Sequence, residues 1–102
     1  RTVAVLGDML ELGDFSKEAH RRVGEKASET ECALVVTFGE AAENIAEAFI
    51  KSGGVAKAFR DKTELTNYLR ENLKEGDTVL FKGSRGMKME EIFTSLYKEW
   101  EV

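Results

Sequence analysis

The chain has 102 residues, 42% of them hydrophobic and 33% charged, which suits one globular domain and excludes two. Its 15 basic and 19 acidic side chains leave a net charge of −4, the wrong balance for a nucleic-acid-binding face. A single cysteine, Cys32, excludes an internal disulfide framework and fits a reducing compartment, and no apolar run is long enough to cross a membrane or to act as a signal peptide.

The segment Thr2–Leu6 is a short apolar, β-rich run closed by Gly7, a glycine that lets the backbone turn. After Phe15, Ala19, Val23 and Ala27 recur every four residues, predicting a helix from Ser16 to about Thr30 with Ser16 as its N-cap. Ala33–Phe38 is the second strand. A helix over Glu40–Ser52 follows, with Ala42, Ile45, Ala46 and Phe49 on one side and Gly53-Gly54 as its stop. Ala56–Phe59 is a weak third strand. Asp61 stands three residues before Glu64, the spacing of a capping box, and opens a helix with the stripe Leu65, Tyr68, Leu69 and Leu73. Thr78–Lys82 is the fourth strand. The last helix carries Met89, Ile92, Phe93, Leu96, Tyr97 and Trp100.

Strands that are apolar throughout, alternating with helices, imply an α/β fold. The expected architecture is a Rossmann-like three-layer sandwich, a parallel four-stranded sheet with helices on both faces and right-handed crossovers. Ligands of such sheets sit at the carboxyl ends of the strands. That singles out Gly7–Phe15, Gly39–Glu40, Arg60–Asp61 and Gly83–Lys88.

Two of these segments carry chemistry. In Gly7–Gly13, Asp8 either projects into the crevice or bonds local amides, and Leu10 and Leu12 are apolar side chains that need something to pack against. In Lys82–Glu90, three cations (Lys82, Arg85, Lys88), the Ser84 hydroxyl and the amides of a helix start suit a carboxylate or phosphate. The segment is neither a P-loop nor a dinucleotide fingerprint. His20 has no partner acid or metal set in the sequence and reads as a packing or capping residue. Gly24, inside a helix, suggests close approach to a strand, and Cys32 reads as an inert small hydrophobe.

Taken together, Leu-Gly-Asp-Met-Leu-Glu-Leu-Gly at Leu6–Gly13, His20 with Val23 and Gly24, and Lys82–Arg85 with Met89 and Glu90 resemble the C-terminal domain of the Mur ligases. The three motifs fall in the family's order over essentially the whole chain. The resemblance implies a lid-like last domain, residues 1–102, of an enzyme whose UDP-sugar-binding and central ATPase domains are absent here. The family's Tyr-Asn-Ala-Asn-Pro segment is also missing, so the chain looks like a truncated domain lacking its opening strand and helix.

The implied reaction is ATP-dependent amide ligation in cytoplasmic peptidoglycan synthesis, and so in cell-wall biogenesis, cell shape and division. D-Alanyl-D-alanine would be added to UDP-N-acetylmuramoyl-tripeptide through an acyl phosphate, with ATP and Mg2+ bound mainly by the central domain. Ser84 and Arg85 are then expected to contact a substrate carboxylate with Lys82 in support, Asp8 to face the nucleotide, and Glu11 to make an interdomain contact or cap a helix. No catalytic residue and no metal ligand is expected in this domain, which alone should be inactive; neither nucleic acid nor membrane insertion is expected. The alternatives are a folylpolyglutamate-synthase-like ligase of the same superfamily, a phosphoreceiver-like signalling domain using Asp8, Asp61 and Lys82, and a structural module without a ligand.

Overall fold

The computed structural model describes residues 1–100, with side chains described as far as residue 96. Its elements are β1 (Thr2–Gly7), α1 (Ser16–Ser28), β2 (Cys32–Phe38), α2 (Glu43–Lys51), β3 (Ala56–Phe59), α3 (Lys62–Asn72), β4 (Thr78–Lys82) and α4 (Glu90–Trp100). Short 3-10 turns at Gly13–Phe15 and Arg85–Met87 precede α1 and α4. The four strands are parallel in the order β3-β2-β1-β4, so β1 is flanked by β2 and β4. Among the described residues no helix is long and apolar enough to cross a membrane.

Side-chain alternation along β1 and β2 builds two cores. Val3, Val5, Leu34 and Val36 face α3 and α4, where they meet Leu65, Leu69, Met89, Ile92 and Leu96. Ala4, Leu6 and Val35 face the other way, onto Ala42, Ile45 and Phe49 of the α2 region. Each fully buried aliphatic side chain contributes about 1.5–3 kcal/mol. The inner strands are apolar on both faces as expected, whereas the edge strands β3 and β4 are half open to solvent.

The α1 face departs from its pattern. His20 and Gly24 are its buried residues, while Ala19, Val23 and Ala27 are only half-buried and Phe15 is exposed. The cause is Gly24. A Cβ there would collide with the Ile45 carbonyl oxygen and stand 2.8 Å from the Ala48 Cβ, so the glycine serves a helix–helix approach to α2 and not a helix–strand one. Ser16 is not an N-cap. It is already helical at φ −56°, and Phe15 holds the cap position without a side-chain bond. Asp61 does cap α3, accepting from the Glu64 amide at 3.0 Å. In α4, Met89, Ile92 and Leu96 are buried, whereas Phe93 lies half exposed with its ring 5.8 Å from that of Phe81. Tyr97 and Trp100 lie outside the residues whose side chains are described.

Candidate functional site

Parallel pairing of β1 with β4 sets Leu6 opposite Lys82, so the loops that leave these strands emerge side by side. Gly7 and Gly83 make that proximity tolerable. A Cβ on Gly83 would stand 2.9 Å from the Met89 Cγ and 3.3 Å from the Gly7 Cα, and one on Gly7 would meet the Met89 sulfur at 2.8 Å. Gly7 is therefore required for space, not for a turn, since it closes β1 as an ordinary strand residue.

Hydrogen bonds then cross-link the two loops. The Ser84 amide donates to the Asp8 carbonyl at 3.3 Å, and the Leu10 amide donates to the Ser84 hydroxyl oxygen at 2.9 Å. Leu10 finds its packing partner in Gly86, where a Cβ would come within 2.7 Å of the Leu10 Cδ1. Asp8 and Lys82–Arg85 thus share one rim of the sheet. Ser84 is half-buried there, and Lys82 and Arg85 are exposed.

Charge at this rim is unevenly settled. Among the described residues, Lys82, Arg85 and Lys88 have no ion-pair partner. Arg60 grips Glu43 with Nη2 3.0 Å from Oε1 and holds that carboxyl below its usual range. Asp8 is also engaged, because its Oδ1 accepts from the Ala42 amide at 2.6 Å, across 34 residues of sequence. The carboxylate lies against Gly39, whose φ of +111° and missing Cβ leave room for it. This bond satisfies an amide just ahead of α2. The helix itself opens at Glu43, later than the Glu40 of the sequence pattern, because the carbonyls of Glu40, Ala41 and Ala42 take the Glu43, Asn44 and Ile45 amides in tighter turns.

The same Asp8 lines an open crevice of about 450 Å³ with Asp14, Ser16, Lys17, Glu40 and Asn44. An apolar crevice of about 270 Å³ lies on the other side of the loop, walled by Leu6, Met9, Val23 and Ile45 and edged by Lys82 and Ser84. Two non-glycine residues have positive φ among those described, Glu11 at 64° and Lys88 at 50°, one in each loop. Such backbone strain costs about 1–3 kcal/mol per residue and persists where surrounding contacts hold it. Glu11 itself is exposed.

His20 is the residue whose part the sequence did not reveal. It is fully buried, and the Met9 amide donates to its Nε2 at 2.9 Å. An imidazole one turn into α1 thereby holds the middle of the Gly7–Gly13 loop. The apolar run around Met9 hinted that the loop is packed, but a hydrogen bond spanning 11 residues leaves no periodic trace.

The receiver geometry is not assembled. Asp61 is spent on its α3 cap and Asp8 on Ala42. Among the described residues no three His, Cys, Asp or Glu side chains stand together to hold a metal ion.

The family described as "Mur ligase, glutamate ligase domain" matches residues 1–85. A UDP-N-acetylmuramoyl-tripeptide–D-alanyl-D-alanine ligase of Bacillus subtilis (strain 168) is 39% identical over 98 residues, which cover 94% of this chain and 21% of the relative. Among solved structures, a MurF ligase from Thermotoga maritima in complex with ADP aligns with a TM-score of 0.79 at 34% identity, covering 99% of this chain and 22% of that one. A MurF from Acinetobacter baumannii aligns with a TM-score of 0.81 at 31% identity, over 95% of this chain and 22% of that one. The chain thus spans about a fifth of the length of the curated relatives it matches.

Proposed function

The chain belongs to the Mur ligase family, in the domain that follows the ligase's other parts, and from that premise we propose that it serves a cytoplasmic ligase joining D-alanyl-D-alanine to UDP-N-acetylmuramoyl-tripeptide. In that reading residues 1–102 are a fragment of the C-terminal domain, and the rest of the enzyme holds ATP with its Mg2+. The tripeptide carboxylate is activated as an acyl phosphate; the dipeptide amine attacks its carbonyl carbon, and phosphate leaves. Among the described residues no three metal-ligating side chains stand together, so the metal is assigned to the rest of the enzyme.

The work left to this domain is orientation and exclusion of water from the acyl phosphate. The observation that carries the reading is the rim where Ser84, Lys82, Arg85 and Lys88, the three cations without an ion-pair partner among the described residues, stand at the end of β4 and on the loop braced by Asp8–Leu10. The Leu10 amide occupies the acceptor side of the Ser84 hydroxyl, leaving its O–H to donate to a carboxylate. Arg85 supplies a planar fork suited to the same group, with Lys82 adding charge beside it. Asp8 has its second carboxylate oxygen for the ribose or a magnesium-bound water, and exposed Glu11 is our candidate for the contact between domains. Membership of curated relatives in a single named activity, with D-alanyl-D-alanine as amine, supports this substrate over the glutamate of a folylpolyglutamate-type ligase.

Steady-state kinetics of Arg85→Ala in the full-length ligase test the reading. Loss of a charge-assisted pair predicts a rise in the KM for D-alanyl-D-alanine of about thirty- to a thousandfold, with the KM for ATP nearly unchanged. An unchanged dipeptide KM would remove Arg85 from the substrate and the reading with it.

A further inference from the structure

His20 sits at the centre of a relay that the ligase reading does not use. Its two ring nitrogens face different elements: Nε2 takes the Met9 amide at 2.9 Å, and Nδ1 lies 2.6 Å from the Ser16 carbonyl oxygen. A backbone N–H can only donate and a carbonyl can only accept. Nε2 therefore carries the lone pair and Nδ1 the proton, so the ring is the neutral Nδ1-H tautomer. Both nitrogens of a fully buried imidazole are thereby satisfied.

The next residue passes the constraint on. Leu10 follows Met9, and its amide holds the Ser84 hydroxyl oxygen, while the Ser84 amide returns to the carbonyl of Asp8. Three consecutive residues, Asp8, Met9 and Leu10, are thus each tied, the middle one to α1 and the outer two to Ser84. The chain then enters the left-handed conformation at Glu11, a geometry that survives only when its flanks are held.

The geometry points to His20 as a positioning residue: by holding the Met9 amide it sets the Leu10 amide, and so the direction in which the Ser84 hydroxyl donates. It touches no substrate. The inference rests on the reading that Ser84 and Arg85 receive the carboxylate of the incoming amine substrate.

Two substitutions in the full-length ligase separate the two ring nitrogens. His20→Gln keeps an acceptor near the Nε2 position, whereas His20→Asn keeps a donor near Nδ1 and offers the Met9 amide nothing. Each loses one buried hydrogen bond, so both should lose similar thermal stability. Positioning predicts that His20→Asn raises the D-alanyl-D-alanine KM about three- to tenfold, the worth of one net hydrogen bond, with the ATP KM within about twofold. His20→Gln should restore the dipeptide KM to near the wild-type value.

Equal KM values in both variants, raised or unraised, would overturn the proposal. If Arg85→Ala leaves the dipeptide KM unchanged, the underlying ligase reading fails instead. A third measurement needs no variant: nitrogen-15 NMR of the wild-type chain should find the His20 proton on Nδ1 and the Met9 amide protected from exchange. A proton on Nε2, or a freely exchanging Met9 amide, would overturn the relay even if neither variant folds.

Discussion

The two ends of the β1–β4 pair treat charge in opposite ways. At the amino end, Arg1 is fully engaged, with Nε 3.0 Å from Asp77 and Nη2 2.6 Å from the Asn72 carbonyl oxygen. Asp77 also accepts from the Lys74 amide at 2.8 Å, and its side chain is only 5% exposed. At the carboxyl end, Lys82, Arg85 and Lys88 have no ion-pair partner among the described residues, and Glu11 and Lys88 hold left-handed backbone. The same sheet closes one end with matched groups and leaves the other cationic and strained. Charge at the closed end supports the fold; charge at the open end has no ion-pair partner among the described residues and is what the proposed substrate reading uses.

Substitutions at the two ends should therefore separate binding from stability. The largest effect is expected from Arg85→Ala, about 2–4 kcal/mol in dipeptide binding, with a melting temperature that barely moves because the side chain is exposed. Loss of stability in place of affinity would make the open end structural after all. Gly83→Ala comes next. The new methyl presses on Met89 and the Gly7 backbone, and overpacking of this kind costs about 1–3 kcal/mol, read as a lowered midpoint in urea unfolding of the chain. An unchanged midpoint would mean that the two loops are not held in contact.

Asp8→Ala should cost about 0.5–2 kcal/mol, the worth of a side-chain oxygen at a helix start. Asp8→Asn, which keeps an acceptor for Ala42, should recover much of it in the same measurement. Full loss in both variants would show that the carboxylate charge matters more than the bond.

The smallest effect belongs to the closed end. The Arg1 guanidinium, and then the Lys74 amide, hold the Asp77 carboxyl below its usual range. A depressed folded-state value means stability that is present above the unfolded pKa and lost as pH falls through the folded one. Asp77→Asn should therefore melt below wild type near neutrality, and the gap should close as pH drops below about 4. A gap independent of pH would assign the effect to packing.

Much of this was legible in the residues. Strands of branched apolar side chains placed β2, β3 and β4 within a residue, and the Asp61/Glu64 spacing placed the start of α3, because local propensity and tertiary packing agree there. Lys82–Lys88 stood out for the same reason, as charge and glycine clustered in one loop. The α1 stripe misled because Gly24 moves the contact to the helix backbone, where no apolar period records it. Likewise the bond from the Ala42 amide to Asp8, just ahead of α2, joins residues 34 positions apart and leaves no local trace.

By itself the sequence determined an α/β chain with a cationic glycine loop and an acid-bearing loop after its first strand, since periodicity and composition are local properties. The meeting of the β1 and β4 loops at one rim was already expected of a parallel sheet, whereas only the tertiary structure decided that Ser84 serves the Leu10 amide and that His20 holds Met9. Those pairings join residues 11 to 74 positions apart. Partner choice at such separations is settled when the sheet closes and the helices bury its faces, not by any short stretch of chain.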